Sequence, residues 1–400
     1  MDAAGKKVLL RVAYDITLQK ENGQMIVPDD TRIRATIPTI NHLLKQGCSI
    51  GLLSYLKRPG GKVIEEYRMA PVAKKLEELI NRPVKALRDC AGPEVEREIQ
   101  NMKPGDIIML ENVRFHLEEE KSDPNFAKEL TQGFDLIVYD AFAQAHRVHS
   151  STTGILQVLP SAAGFLFEKE IEYLSKLLQN PAHPFVVLLG GAKISDRVDV
   201  IQNLLHKADK LLIGGALANT FFAAQGKNIE KSLVEDVYVN TAKGEKKDYQ
   251  ELARQIMEKG GDKVELPVDM LAAFSPESTE TKLVNIDQGE ALPQDWLYLD
   301  IGPRTIENYR KSLLSAKMIF SNGPMGFFEK EIFAEGTKEL AESIIASNAT
   351  SVIGGGDTES IVHRYGWEGK FTHVSTGGGA ALEFLAGKEF PVMKYLINKK

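Results

Sequence analysis

The chain has 400 residues, 43% hydrophobic and 26% charged, with a formal net charge of −6. This is ordinary globular composition, and the length exceeds what one core usually organises, so two domains are expected. With 55 acidic against 49 basic residues, a nucleic-acid binder working through a general positive field is excluded. No apolar run approaches the roughly 20 residues of a membrane helix, and the opening Met1–Lys7 carries no apolar signal segment. A cytoplasmic protein without membrane or nucleic-acid partners is the expectation. Cys48 and Cys90 fit neither a disulfide framework nor a zinc spacing, and are expected to be buried reduced thiols.

In chain order, short apolar runs predict strands at 8–12, 50–54, 106–110 and 136–139, separated by amphipathic helices at 34–45, 70–79, 93–101 and 125–132. Phe167, Ile171, Leu174 and Leu178 recur at helical spacing over 165–180, and Asn180-Pro181 ends that run. This helix either joins two halves of the chain or is an ordinary crossover. Further strands are predicted at 185–189, 210–213, 266–268, 297–300, 316–320, 351–353 and 373–375. β-Branched runs alternating with helices imply parallel sheets buried on both faces, here two doubly wound α/β sheets. The charged stretches 118–121 and 244–248 are expected to be solvated surface.

Ligands of open parallel sheets bind beyond the carboxyl ends of the strands. In the first half those ends carry basic residues: Tyr55-Leu56-Lys57-Arg58, Asn112-Val113-Arg114, and the stretch containing His146, Arg147 and His149. Arg32 and Arg34 are placed in the loop before the first helix. Arginine forks at matching topological positions suit phosphate and carboxylate oxygens. In the second half the ends carry glycines: Gly190-Gly191-Ala192-Lys193, Gly214-Gly215, Asn322-Gly323-Pro324-Met325-Gly326, Gly354-Gly355-Gly356-Asp357-Thr358 and Gly377-Gly378-Gly379. Glycine lets backbone N–H groups approach a phosphate, and a following helix N-terminus adds a favourable dipole. Asp357 is a candidate Mg²⁺ ligand, directly or through water. The chain contains no P-loop, dinucleotide-binding fingerprint, protein-kinase catalytic loop, nucleophile elbow or zinc-protease helix. Phosphoryl transfer between a nucleotide and an anion is the chemistry these two halves suggest.

Taken together, Asp30-Thr31-Arg32-Ile33-Arg34, Leu110 to His116, Ala145 to His149, Gly190 to Asp196, Leu299 to Pro303, Asn322 to Glu329, Gly354 to Thr358 and Ser375 to Ala380 closely resemble the motifs of phosphoglycerate kinase, in order over essentially the whole chain. The resemblance implies two Rossmann-like domains separated by a cleft and joined by a hinge helix. They would be 1–164 with a returning segment 386–400 for 3-phosphoglycerate, 165–180 as the interdomain helix, and 181–385 for nucleotide. It further implies a cytoplasmic monomer whose partners are ATP or ADP with Mg²⁺, and 3-phosphoglycerate. By that resemblance Arg32 meets the acceptor carboxylate and the transferring phosphoryl. Arg58, Arg114 and Arg147, with His149, hold the remote phosphate. Lys193 and Arg197 face the nucleotide phosphates. Gly214, Gly215, Asn322, Gly323, Glu329, Gly355, Gly356, Asp357 and Thr358 contact nucleotide, with Glu329 at the ribose. Gly377, Gly378 and Gly379 present a helix N-terminus to the transferring group.

The chain also departs from that pattern. Ala13 and Asp15 stand where the family usually has aspartate and asparagine around the acceptor. Tyr55 replaces a histidine, Lys57 a glycine, Ala143-Gln144 a glycine–threonine pair, Arg197 a lysine and Tyr298 a glycine. Three readings follow: phosphoglycerate kinase activity, a kinase for another anionic carboxylate, or a non-catalytic nucleotide binder on the same scaffold.

Overall fold

A computed structural model describes residues 2–240 and 245–396. Gly244 of one charged stretch and residues 397–400 of the returning segment lie outside the described residues. The chain forms two compact units, Met1–Glu172 with Glu389–Lys400, and Tyr173–Lys388.

The first unit is built on a six-stranded parallel sheet in the order 85–86, 107–109, 49–53, 7–12, 136–140, 161–163. Val8, Leu9, Leu10 and Val12 in its centre are all 0% exposed, as a strand covered on both faces requires. The helix Thr31–Lys45 buries Ile33, Ile40 and Leu43, and the helix Ala70–Ile80 buries Val72, Ala73 and Leu76. All of these belong to one core cluster with the strand residues Leu10, Ile50 and Met109. Strand order reverses between 7–12 and 136–140, which makes the carboxyl ends of those strands the topological switch point. The short helix Met393–Leu396 contacts the edge strand 161–163, and the Phe390 ring lies 5.4 Å from that of Phe142.

The second unit repeats the plan with a parallel sheet in the order 264–265, 210–213, 185–189, 318–322, 350–354, 373–374. Its switch point falls between 185–189 and 318–322. The fold is therefore α/β with two Rossmann-like parallel sheets. The helix predicted over 165–180 is Phe165–Gln179, and several other predicted elements match to within two or three residues.

Three expectations are corrected. The strand expected at 297–300 spans Leu297–Ile301 and pairs antiparallel with Asp269–Ala273, which pairs antiparallel with Thr281–Asn285, so this unit is not purely parallel. No strand occupies 266–268. Pro267 has no N–H to give a ladder, and the chain leaves the parallel sheet after Glu265 to enter the antiparallel one at Asp269. Arg32 and Arg34 lie in the first turn of the helix Thr31–Lys45, not in a loop, and Arg34 is tied back to Asp30 at 2.6 Å.

Candidate functional site

At the switch point of the first unit the strand ends bring buried cations together. Arg114, 2% exposed, follows strand 107–109 in a short turn whose Asn112 side chain accepts a bond from the Arg114 N–H. Its Nη1 donates to the Lys57 carbonyl at 2.7 Å, and its Nη2 stands 3.3 Å from Glu120. Its guanidinium carbon lies over the Tyr55 ring, 3.7 Å from the centroid. The Arg114 Nε and Nη2, the Arg147 Nε and the His149 Nδ1 are buried and make no hydrogen bond among the described residues. Burial, reinforced by the Arg147 charge, pulls the Arg114 guanidinium below its ordinary range. Carboxylates of Glu120 and Glu119 stand near two of these groups, the second 3.6 Å from His149 Nδ1, but buried guanidinium N–H groups without a hydrogen bond are costly, and an anion would satisfy those of Arg114 and Arg147.

The departures around this cluster have local partners. Asp15 accepts the Lys57 N–H at 2.9 Å, and the Lys57 ammonium reaches the Thr17 hydroxyl at 2.7 Å. The Asp15 carboxylate is therefore held by a backbone N–H and not by the Lys57 charge. Lys57 adopts the left-handed backbone that its usual glycine would favour, with φ +58°. Ala13 is buried. Arg32 is half-buried, while Arg58 is exposed and is not brought into the buried cluster.

The second unit holds a cavity of about 460 Å³ at its switch point, lined by Arg197, Asn322, Gly323, Gly355, Gly356, Asp357, Gly378 and Gly379, with Lys388 at its side. Two helices, Gly356–Arg364 and Gly379–Leu385, begin on its wall, so their free N–H groups and dipoles favour negative charge there. Arg197, 8% exposed, is clamped by Asn322 Oδ1 at 3.1 Å and the Lys193 carbonyl at 3.2 Å. Burial lowers its pKa from the usual guanidinium value, and nearby Asp196, Asp357 and Glu235 work to raise it. Its slot exists because two glycines have no side chain. A Cβ on Gly323 would stand 2.8 Å from Arg197 Nη2 and 2.7 Å from the Gly190 carbonyl, at φ +84°. Gly323→Ala is therefore expected to cost about 2–3 kcal/mol of stability, read as a lowered unfolding midpoint in urea.

Not every predicted nucleotide residue joins this cavity. The Lys193 side chain is exposed and lines an adjoining cavity with Ser195, Glu235 and Asp236. The N–H groups of Gly214 and Gly215 donate to Leu189 and Met325 carbonyls, and a Cβ would meet the Met325 side chain at Gly214 and the Gly191 and Pro324 backbone at Gly215. Thr358 accepts the Gly323 N–H at 3.1 Å, and the Gly377 N–H donates to Ser375. Glu329 is exposed and lies outside the cavity lining. Tyr298 is buried, its ring 6.1 Å from Phe222, and also lies outside the cavity lining. Lys388 escaped notice because it follows a helix and not a strand. The Arg197–Asn322 clamp joins residues 125 positions apart, and no local signal announces it.

Both cysteines are free and buried. Cys90 lies with Asp89 and His116, their ligand atoms within 4.8 Å of one another, which no sequence spacing indicated. There the His116 imidazole is already bonded to Asp89 at 2.7 Å.

Two doubly wound units, one with buried guanidinium groups short of hydrogen bonds and one with a glycine-walled cavity at two helix N-termini, define a phosphoryl-handling α/β protein. The family model for phosphoglycerate kinase matches residues 1–388. The chain is 46% identical over 401 residues to the phosphoglycerate kinase of Rubrobacter xylanophilus, covering all of this chain and 97% of that protein. It is 47% identical over 403 residues to that of Dictyoglomus turgidum, with the same coverage. Among solved structures it is similar to the phosphoglycerate kinases of Coxiella burnetii and Pyrococcus horikoshii, at 35% and 33% identity and TM-scores of 0.82 and 0.84. Each comparison spans 99% of this chain and 97% of the other. The chain belongs to the phosphoglycerate kinase family, and its function is that of a phosphoglycerate kinase, a phosphotransferase with a carboxyl group as acceptor.

Proposed function

We propose that the donor is MgATP, the acceptor is 3-phosphoglycerate, and the residues gathered at the two switch points perform the transfer. An acceptor carboxylate oxygen attacks the γ-phosphorus. The bond from that phosphorus to the β-phosphate bridging oxygen breaks, leaving 1,3-bisphosphoglycerate and ADP. No general base is required, because a carboxylate with a pKa of about 4 is already ionised at pH 7. The barrier is the approach of two anions, so positioning and charge neutralisation carry the catalysis.

In this reading Arg114, Arg147 and His149 take the remote phosphate of the acceptor, joined by Arg58, and Arg32 meets its carboxylate. The observation that carries it is the set of buried guanidinium nitrogens on Arg114 and Arg147 that make no hydrogen bond. Arg197, with the helix N-termini at Gly356 and Gly379, neutralises the transferring phosphoryl, and Lys193 meets the nucleotide from the adjoining cavity. Asp357 is exposed on the cavity wall and offers the hard oxygen donor that Mg²⁺ selects. The ion would supply charge neutralisation to the nucleotide phosphates. The same reading carries a cytoplasmic monomer in which hinge closure brings the two substrates together and excludes water.

A coupled assay with MgATP and 3-phosphoglycerate, run beside isothermal titration of each ligand, tests the proposal. Turnover saturable in both substrates is expected. Nucleotide binding without turnover or 3-phosphoglycerate binding would transfer the assignment to another carboxylate acceptor or to a non-catalytic role.

A further inference from the structure

Tyr55 follows the strand Ser49–Leu53 and stands where the family's motif has histidine. It is 3% exposed, and its ring face carries the Arg114 guanidinium at 3.7 Å, with a second buried guanidinium, that of Arg11, 5.7 Å from the same centroid. Arg11 is held independently, its Nε donating to the Ser151 carbonyl at 3.0 Å. Arg114 has one direct hydrogen bond from its guanidinium, the 2.7 Å contact to the Lys57 carbonyl. That bond and the 3.3 Å approach of Nη2 to Glu120 fix an axis through the fork but not the plane about it, and Nε and Nη2 make no hydrogen bond. The ring supplies the missing constraint. Its negative face attracts the cation, and because both groups are desolvated the attraction is at the strong end of its range.

We propose that Tyr55 is a positioning residue for anion binding: its π face, not its hydroxyl, sets the plane in which Arg114 presents its free N–H groups to the acceptor's remote phosphate. A flat guanidinium satisfies two phosphate oxygens at once only when its plane contains them, so orientation controls affinity more than charge alone does. The proposal rests on the reading of Arg114 as an acceptor ligand. It accounts for tolerance of the histidine replacement, since an aromatic face here organises a neighbouring charge.

The test uses the full chain with Tyr55→Phe, Tyr55→Leu, and a series placing mono-, di- and trifluorinated phenylalanine at position 55. Fluorination drains the ring's negative face while nearly preserving its shape. Affinities for 3-phosphoglycerate and for inorganic phosphate are measured by titration, with ATP affinity as the internal control. Tyr55→Phe is expected to bind within about twofold of the parent. Affinity should then fall stepwise with fluorination, and Tyr55→Leu should lose about thirtyfold, the equivalent of about 2 kcal/mol, with ATP affinity unchanged. Fluorinated variants that bind as phenylalanine does would overturn the proposal, as would a Tyr55→Phe loss as large as that of Tyr55→Leu, which would assign the role to the hydroxyl. If the parent binds inorganic phosphate but not 3-phosphoglycerate, the acceptor assignment fails while the phosphate series still judges Tyr55. If it binds neither, Arg114 is not an anion ligand and the proposal falls. Should Tyr55→Leu not fold, the fluorinated series decides alone.

Discussion

Arg197→Ala is expected to lower kcat/KM for ATP by about 10²–10³-fold, while Lys193→Ala lowers it by less than about tenfold. The two residues carry the same formal charge and sit four positions apart, so the contrast isolates geometry. Arg197 is buried, fixed at two points by Asn322 and the Lys193 carbonyl, and lines the cavity on which two helices begin. A preorganised, dehydrated donor aimed at developing charge is typically worth a factor of 10²–10³ in rate. The Lys193 ammonium is exposed and free to move, so water replaces much of what its removal takes away. Arg197→Lys should fall between them, restoring charge without the fork that grips Asn322. Stability should change little, since losing a buried charge offsets an unpaired Asn322 carbonyl. The measurement is steady-state kinetics with ATP varied at saturating 3-phosphoglycerate, beside urea unfolding of each variant. Equal losses at 193 and 197 would mean that charge alone, not its fixation, neutralises the phosphoryl group.

Much of this architecture was legible because parallel sheets write their burial into composition. The strands Phe185–Leu189 and Lys210–Ile213 were predicted at their observed bounds, since every interior position of such a strand must be apolar. The antiparallel strands were misassigned for the same reason. Leu297–Ile301 is nearly as buried as a parallel strand, and a single strand's pattern does not reveal its partner's direction. The glycine clusters correctly marked the second switch point, but not what each glycine does. Gly323 makes room for a guanidinium, whereas Gly214 makes room for the Met325 side chain and Gly215 for other backbone. Those roles depend on which chain segment comes within 3 Å, a property of the tertiary fold. The substituted positions Asp15, Lys57 and Tyr55 read singly as departures from the pattern, and their contacts to one another and to Arg114 are a property of the tertiary fold.

Asp300 should make the second unit lose stability as pH rises from about 4 to about 8, and Asp300→Asn should abolish that component. The residue is 1% exposed, with Oδ1 accepting the Ile301 N–H at 2.9 Å and Oδ2 the Gly336 N–H at 2.9 Å. Gly326 and Gly336 pack so closely on it that a Cβ on either would fall 2.4–2.5 Å from Oδ1. Burial pushes its pKa up to about 8, Glu335 adds to the rise, and the two backbone donors oppose it. The unfolded carboxyl titrates near 3.9, so between about pH 4 and pH 8 the native state holds the extra proton. Its stabilising effect is complete below the unfolded pKa and is lost through the folded one, with a slope of up to about 1.4 kcal/mol per pH unit. Asparagine keeps the shape but turns an amide NH₂ toward one of the two backbone donors, so the variant should be about 1–3 kcal/mol less stable at pH 5. Without a titrating group at this site, its deficit should shrink and then reverse as pH rises. Asp140, whose pKa burial raises to about 6, titrates in both proteins and cancels in the difference. Urea unfolding of parent and variant at intervals from pH 5 to pH 9 gives that difference directly. Parallel curves would mean that Asp300 is ionised in the folded protein throughout, with its two backbone N–H bonds sufficient to hold a buried carboxylate.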